Sequence, residues 1–248
     1  LNSTKMKKYI FLLLSIVTVI STIAQSASWV NYELVISPEN VEKFTTAFDV
    51  FYKSEGAKKM PTGFFTENTL GNQDECTHHM SFQTSDPNVM TQFLNPLEFW
   101  STLYAQELGQ AISSLGIAPK RAFSGLPLVE SKLFPDAQNG IQVIWALNVP
   151  FTSQVDVVTA FTTFIKEMQP YFDKSKMQLG LHQHLAGDDR GTNFWILASH
   201  KDYAQYLETM NYMGSNPNFG AFVKAMGNTE NTSTILRTVI KAWNLPSN

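Results

Sequence analysis

The sequence predicts an α+β protein made of two consecutive β-α-β-β-α-β units behind an N-terminal leader, and three observations carry that prediction. The 248 residues are 44% hydrophobic and 16% charged, a balance that builds a packed core and excludes disordered, collagenous and coiled-coil chains. Leu34 to Lys53 aligns with Leu147 to Lys166 at an offset of 113, with identities at Leu34, Thr46, Ala47, Phe48, Phe51 and Lys53, and Gln92 and Leu94 match Gln205 and Leu207 at the same offset. An Asn-Pro pair, Asn95-Pro96 and then Asn216-Pro217, interrupts the second helical stretch of each half. Pro135, Asp136, Asn139 and Gly140 cluster between the halves, so the units are expected at 28–134 and 140–248.

The leader comes first. Met6-Lys7-Lys8 is a basic start, Ile10 to Ile23 is an apolar run, and Ala24-Gln25-Ser26 supplies small residues at alternate positions. This is the pattern of a secretory signal peptide, residues 1–27 with cleavage near Ser26 or Ala27. The run is shorter than the roughly 20 apolar residues a spanning helix needs. The whole chain carries 18 Lys and Arg against 21 Asp and Glu, a net charge of -3. No electrostatic footprint for nucleic acid is present.

In the first unit, Tyr32 to Ile36 reads as a strand, and Ser37-Pro38 as an N-cap followed by a proline at the first helical position. Val41, Phe44, Phe48 and Phe51 then recur at spacings of three and four, giving one apolar helix face. Gly63 to Leu70 and Thr77 to Phe82 are strand-like runs joined by the turn Gly71-Asn72-Gln73-Asp74. Ser85-Asp86-Pro87 opens helical sequence that continues past Asn95-Pro96 to about Leu115, and the run from Lys120 to Phe134 contains the closing strand. The second unit repeats the order: strand Val143 to Val149, helix Ser153 to Met168, strand Met177 to Leu185, turn Gly187 to Gly191, strand Thr192 to Ala198, an interrupted helix, and strand Thr234 to Ala242.

Two such units in one chain resemble a fused version of the dimeric α/β-barrel superfamily, whose members include antibiotic-biosynthesis monooxygenase-like, NIPSNAP-like, EthD-like and chlorite dismutase-like proteins. Each unit is the ferredoxin-like βαββαβ arrangement. The resemblance covers most of the chain after the leader and rests on element order and the repeat, without a diagnostic motif. It implies a paired-sheet core with helices outside and a pocket between sheet and helices in each half.

Histidines are the first candidates for chemistry. His182 and His184 lie two apart in a strand where Met177, Leu179, Leu181 and Leu185 share one face, so both imidazoles fall with Gln178 on the other. That face is expected to be solvated or to lie between sheets. A His-x-His pair offers two metal ligands but needs a third. An offset of 115 across the hairpin sets His182 against Glu67 and His184 against Thr69, so neither pair is duplicated. His200, near a helix start, is expected to cap or solvate that turn.

Trp145, Asn193, Trp195 and Tyr203 are the candidate lining of a ligand pocket in the second half. Cys76 is the only cysteine, which excludes an intramolecular disulfide and a cysteine-based zinc site. Neither Glu75 nor Thr77 beside it lowers its pKa, so a packed role is expected. No nucleophile elbow, Walker A loop, dinucleotide fingerprint or H-E-x-x-H pair occurs.

The expected function is therefore an exported protein, periplasmic or secreted and bacterial in its leader. It is expected to bind a small apolar or aromatic molecule in a sheet-and-helix pocket, as a monomer or a homo-oligomer. Cofactor, metal and nucleic acid are not expected, nor is a stable membrane span once the leader is removed. The first alternative is a cofactor-independent, monooxygenase-like oxidoreductase with His182 or His184 as catalytic base. The second is a haem or metal protein, for which a helix-borne axial histidine is missing from the predicted helix interiors.

Overall fold

Period-two apolar alternation closes eight strands into one ring. The computed structural model describes residues 27–245 apart from 59, 72–75, 96, 100, 133–138 and 188–190. The leader, the boundary residues Pro135 and Asp136, and the middles of both hairpin turns lie outside the described residues. In chain order the elements are β1 (Ser28–Leu34), α1 (Pro38–Lys53), β2 (Thr62–Leu70), β3 (His78–Thr84), α2 (Pro87–Leu94), α3 (Leu103–Ser114) and β4 (Pro119–Glu130). There follow β5 (Ile141–Asn148), α4 (Gln154–Ser175), β6 (Gln178–Ala186), β7 (Phe194–His200), α5 (Tyr203–Gly214), α6 (Pro217–Met226) and β8 (Glu230–Trp243).

Hydrogen bonding runs β1-β3-β2-β8-β5-β7-β6-β4 and back to β1, all antiparallel. Strands β1 to β4 fill one arc in the order 4-1-3-2, and β5 to β8 fill the other in the order 8-5-7-6. Closure leaves no exposed sheet edge. No described helix is long and apolar enough to cross a membrane.

Local chemistry sets the helix limits. Asp86 Oδ1 accepts from the Asn88 amide at 2.8 Å, and Asn216 Oδ1 accepts from the Asn218 amide at 2.8 Å, each with proline at the first helical position. Ser37 precedes Pro38 as expected, but its backbone oxygen, not its side chain, receives the Asn40 amide at 2.9 Å. Helix α4 runs to Ser175, past the expected end at Met168 and through Pro170. Its buried face, Phe161, Phe164, Ile165, Met168 and Phe172, continues across the proline. Burial at about 1.5–3 kcal/mol per large side chain outweighs the roughly 3 kcal/mol that an interior proline costs.

Each arc packs its outer face under helices. Phe44, Phe48 and Phe51 of α1 join Phe65, Met80 and Phe82 in one core, and α4 joins Leu179, Leu181 and Phe194 in another. A third, smaller cluster of Trp29, Phe123, Ile144, Ala146 and Trp195 is enclosed by the ring itself. Cys76 is buried, its Sγ donates to the His78 oxygen at 3.0 Å, and burial raises its pKa, in keeping with a packed role.

Candidate functional site

Because successive side chains point to opposite faces, every strand feeds two different places. On β1, Val30, Tyr32 and Leu34 face the helices, while Trp29 and Asn31 face the interior of the barrel. Each helix layer leaves a cleft above its sheet.

The first cleft encloses about 380 Å³ between α1, α3 and the outer face of β1 and β3. Its wall is aromatic and aliphatic, including Phe44, Phe48, Phe82, Phe93 and Phe99, and no charged residue lines it. Tyr32 supplies a phenol there, its ring 6.0 Å from that of Phe82. The Tyr32 hydroxyl has no hydrogen-bond partner among the described residues, and burial raises its pKa, so it stays protonated as a donor. An adjoining space of about 340 Å³ shares Phe51, Phe93 and Phe99 and reaches Glu98, Thr102 and Tyr104. The second cleft, under α4 and α6, holds about 210 Å³.

The predicted residues separate. Trp145 lines the second cleft. Asn193 is a strand clamp: its Oδ1 accepts from the Val149 amide and its Nδ2 donates to the Val149 oxygen, both at 2.8 Å. Tyr203 begins α5 and is half exposed, outside both clefts. Trp195 points into the barrel, stacked on Trp29 with ring centroids 5.1 Å apart. The expected single pocket of Trp145, Asn193, Trp195 and Tyr203 is therefore not assembled.

His182 and His184 also face the barrel interior, the inter-sheet alternative among the expectations. His184 lies 5.4 Å from Phe123 and 4.8 Å from Trp195, ring to ring. His182 Nε2 is 3.3 Å from Glu130 Oε1. Gly180 makes that approach feasible, since a Cβ there would stand 2.8 Å from His182 Nε2 and 3.0 Å from Glu130 Cγ. Burial, reinforced by His184, holds the His182 pKa down to about 3, and burial lifts Glu130 to about 7. Around neutral pH His182 is therefore an uncharged imidazole. His200 is buried against Tyr206, its pKa pushed down to about 4 by burial, and does not solvate the turn.

The repeat offset across the hairpin also changes. Glu67 pairs with His78 and shares a face with Phe65, on the helix side, whereas His182 pairs with Trp195 inside the barrel. Matching faces requires an offset of 116, which sets His182 against Thr66, the partner of buried His79. A one-residue slip exchanges the faces of a strand.

Among the described residues no three His, Cys, Asp or Glu side chains come together as a metal set. Among the described residues neither cleft presents a histidine or cysteine. Sequence reasoning missed Tyr32, Glu130 and Arg237. The signal for Tyr32 was its phase with Val30 and Leu34, and for Arg237 its place two residues after the inward Ile235.

No protein-family model and no curated protein matches the chain. Solved structures do. A candidate monooxygenase from Lactobacillus acidophilus NCFM superposes with a TM-score of 0.58 at 10% identity, covering 89% of this chain and 100% of that one. One from Fusobacterium nucleatum gives 0.56 at 13% identity, covering 90% and 95%. An anthrone oxidase-like protein gives 0.50 at 10% identity, covering 88% and 92%. The likeness shows the fold alone: an α+β protein built on an antiparallel barrel with helices outside it.

Proposed function

We propose that the protein binds an uncharged apolar or aromatic small molecule in the first cleft, with the Tyr32 hydroxyl meeting the ligand's one polar atom. The carrying observation is the 380 Å³ space with no charged residue among its described lining, into which the half-buried Tyr32 brings a phenol. Such a wall accepts apolar surface at about 25 cal/mol per Å² and rejects a carboxylate, which would be buried without a countercharge. A mostly apolar cleft with one orienting group is the usual make-up of a small-molecule site.

The leader supports export to the periplasm or beyond, where such a protein would carry or sequester its ligand. The matching strand order of the two arcs supports reading them as diverged copies of one unit, 28–134 and 140–248, of which the first kept the open cleft.

A monooxygenase-like reading is favoured by the names of the two neighbours described as candidate monooxygenases. In that reading Tyr32, and not His182 or His184, is the group that touches substrate.

Titration with the fluorescent apolar probe N-phenyl-1-naphthylamine tests the binding site. Saturable binding is expected for the wild type. Gly109→Phe, which places a ring in the cleft from α3, is expected to weaken it at least tenfold. Equal binding by both proteins would remove the proposal. Probe-dependent oxygen uptake would favour the enzyme over the carrier.

A further inference from the structure

The space that adjoins the first cleft differs from it in chemistry and carries a site of its own. It encloses about 340 Å³, the size of a small-molecule pocket, between the turn at Gly56 and the stretch from Val89 to Tyr104. Phe51, Phe93, Phe99 and Tyr104 give it four aromatic rings, and Met60 lines it as well. Phe93 and Phe99 lie 5.1 Å apart, ring to ring, and Phe51 meets Phe99 edge-on at 5.9 Å. Tyr104 stands at the rim, 38% exposed, in a place that a glycine opens for it. A Cβ on Gly56 would stand 2.6 Å from Tyr104 Cδ2 and 3.2 Å from Cε2.

Among the described lining residues Glu98 is the one that carries a charge, and its side chain is exposed. Thr102 lines the space too, but its hydroxyl is engaged in the cap of α3, donating to the Phe99 oxygen at 2.9 Å and accepting from the Ala105 amide at 3.3 Å. The charge bias extends along the chain. No Lys or Arg occurs between Met60 and Pro119, whereas Asp86, Glu98 and Glu107 fall in or beside α2 and α3. A surface of one sign draws in the opposite charge. Aromatic faces add a negative quadrupole, which attracts a cation that also has apolar surface to bury.

We propose that the adjoining space binds an alkylammonium group, with its methyl groups against the rings of Phe93, Phe99 and Tyr104 and its charge toward Glu98. The first cleft has no charged residue in its described lining, so the two spaces divide apolar and cationic chemistry between them. The exposed rim at Glu98 and Tyr104 admits the cation from solvent, and the site requires no occupant in the first cleft.

Choline and its uncharged isostere 3,3-dimethylbutan-1-ol, which differ in replacing the ammonium nitrogen by carbon, test this on the whole protein labelled at the methionine methyl groups. At constant ionic strength choline chloride should shift the Met60 methyl resonance saturably, with an affinity about tenfold or more above that of the alcohol. Equal affinities would mean a merely apolar hollow and overturn the proposal, as would the lack of a saturable shift with choline. Glu98→Gln, a change on an exposed side chain, should weaken choline about fivefold to tenfold and leave the alcohol unchanged. Tyr104→Leu should weaken choline about threefold or more, while Tyr104→Phe, which keeps the ring, should bind it as the wild type does. A loss in Glu98→Gln shared by the alcohol, or equal losses in the two Tyr104 variants, would contradict the site.

Discussion

The two helix-covered clefts cover arcs with the same strand order, yet one holds about 380 Å³ beside a further 340 Å³ and the other about 210 Å³. The difference lies in the helices. In the second half, α4 is 22 residues long and meets α6 through Phe161 on Phe222 at 5.1 Å and Phe164 on Phe219 at 5.6 Å, so aromatic rings fill the layer. In the first half, α1 has 16 residues and α2 only 8, and the described residues between α2 and α3, namely 95, 97–99, 101 and 102, form no helix. Phe93 and Phe99 then stand between two spaces. A helix layer can thus be tuned for packing or for ligand without altering the sheet beneath it.

The largest effect that would break this comparison is on stability. Phe172→Ala should cost about 3–5 kcal/mol, since that side chain is fully buried in the second core and borders neither cleft. Phe93→Ala, which removes a wall already bordered by two spaces, should cost about 2 kcal/mol or less, nearer the bare transfer value. Urea denaturation of both variants checks the order, and equal losses would mean that the first cleft is packed as tightly as the second.

A second effect separates the barrel interior from both clefts. Glu130 has its pKa raised from 4.5 to about 7, so it holds a proton in the fold that the unfolded chain releases. Its stabilisation is present below about pH 4.5 and lost as pH rises to 7. His182 and His200, lowered from 6.5 to about 3 and about 4, act in the opposite sense: their contribution is present above pH 6.5 and lost as pH falls. The slopes oppose each other between about pH 4.5 and 6.5. Glu130→Gln should therefore make stability rise more steeply with pH across that window, by about 2 kcal/mol relative to wild type, with a fifth of the side chain exposed to water setting the limit. Parallel curves for the two proteins would refute the assignment.

Much of this was legible in the sequence. The apolar spacing of Phe44, Phe48 and Phe51, the Asn-Pro breaks and the hairpin runs located nearly every element, because each is a local signal. Alternation also put His182 and His184 on one face. What covers a face is a long-range property, however: nothing within β6 says that its polar side looks into a closed ring, or that Glu130 will arrive from β4. Trp195 was grouped with Trp145 by residue type, although the two occupy opposite faces of neighbouring strands, Trp145 opposite Ile196. Tyr32 was read only as part of a strand, since a lone tyrosine among apolar residues gains meaning only when helices leave space above it.

A smaller effect sharpens the first cleft alone. Tyr32→Phe should weaken binding of a ketone or phenol ligand about threefold to tenfold, the value of one hydrogen bond of about 0.5–1.5 kcal/mol. Binding of a plain hydrocarbon should be unchanged, and titration of paired ligands checks the split. A loss shared by both ligand types would instead mark Tyr32 as a packing residue.

The claim that the first cleft, and not the second, is the binding site is tested most directly by NMR of protein labelled at the methionine methyl groups. Met80 lines the first cleft, and Met210, Met213 and Met226 line the second. Addition of N-phenyl-1-naphthylamine should shift the Met80 methyl resonance saturably and leave the other three in place. Movement of Met210, Met213 and Met226 with a still Met80, or no movement at all, would contradict the account.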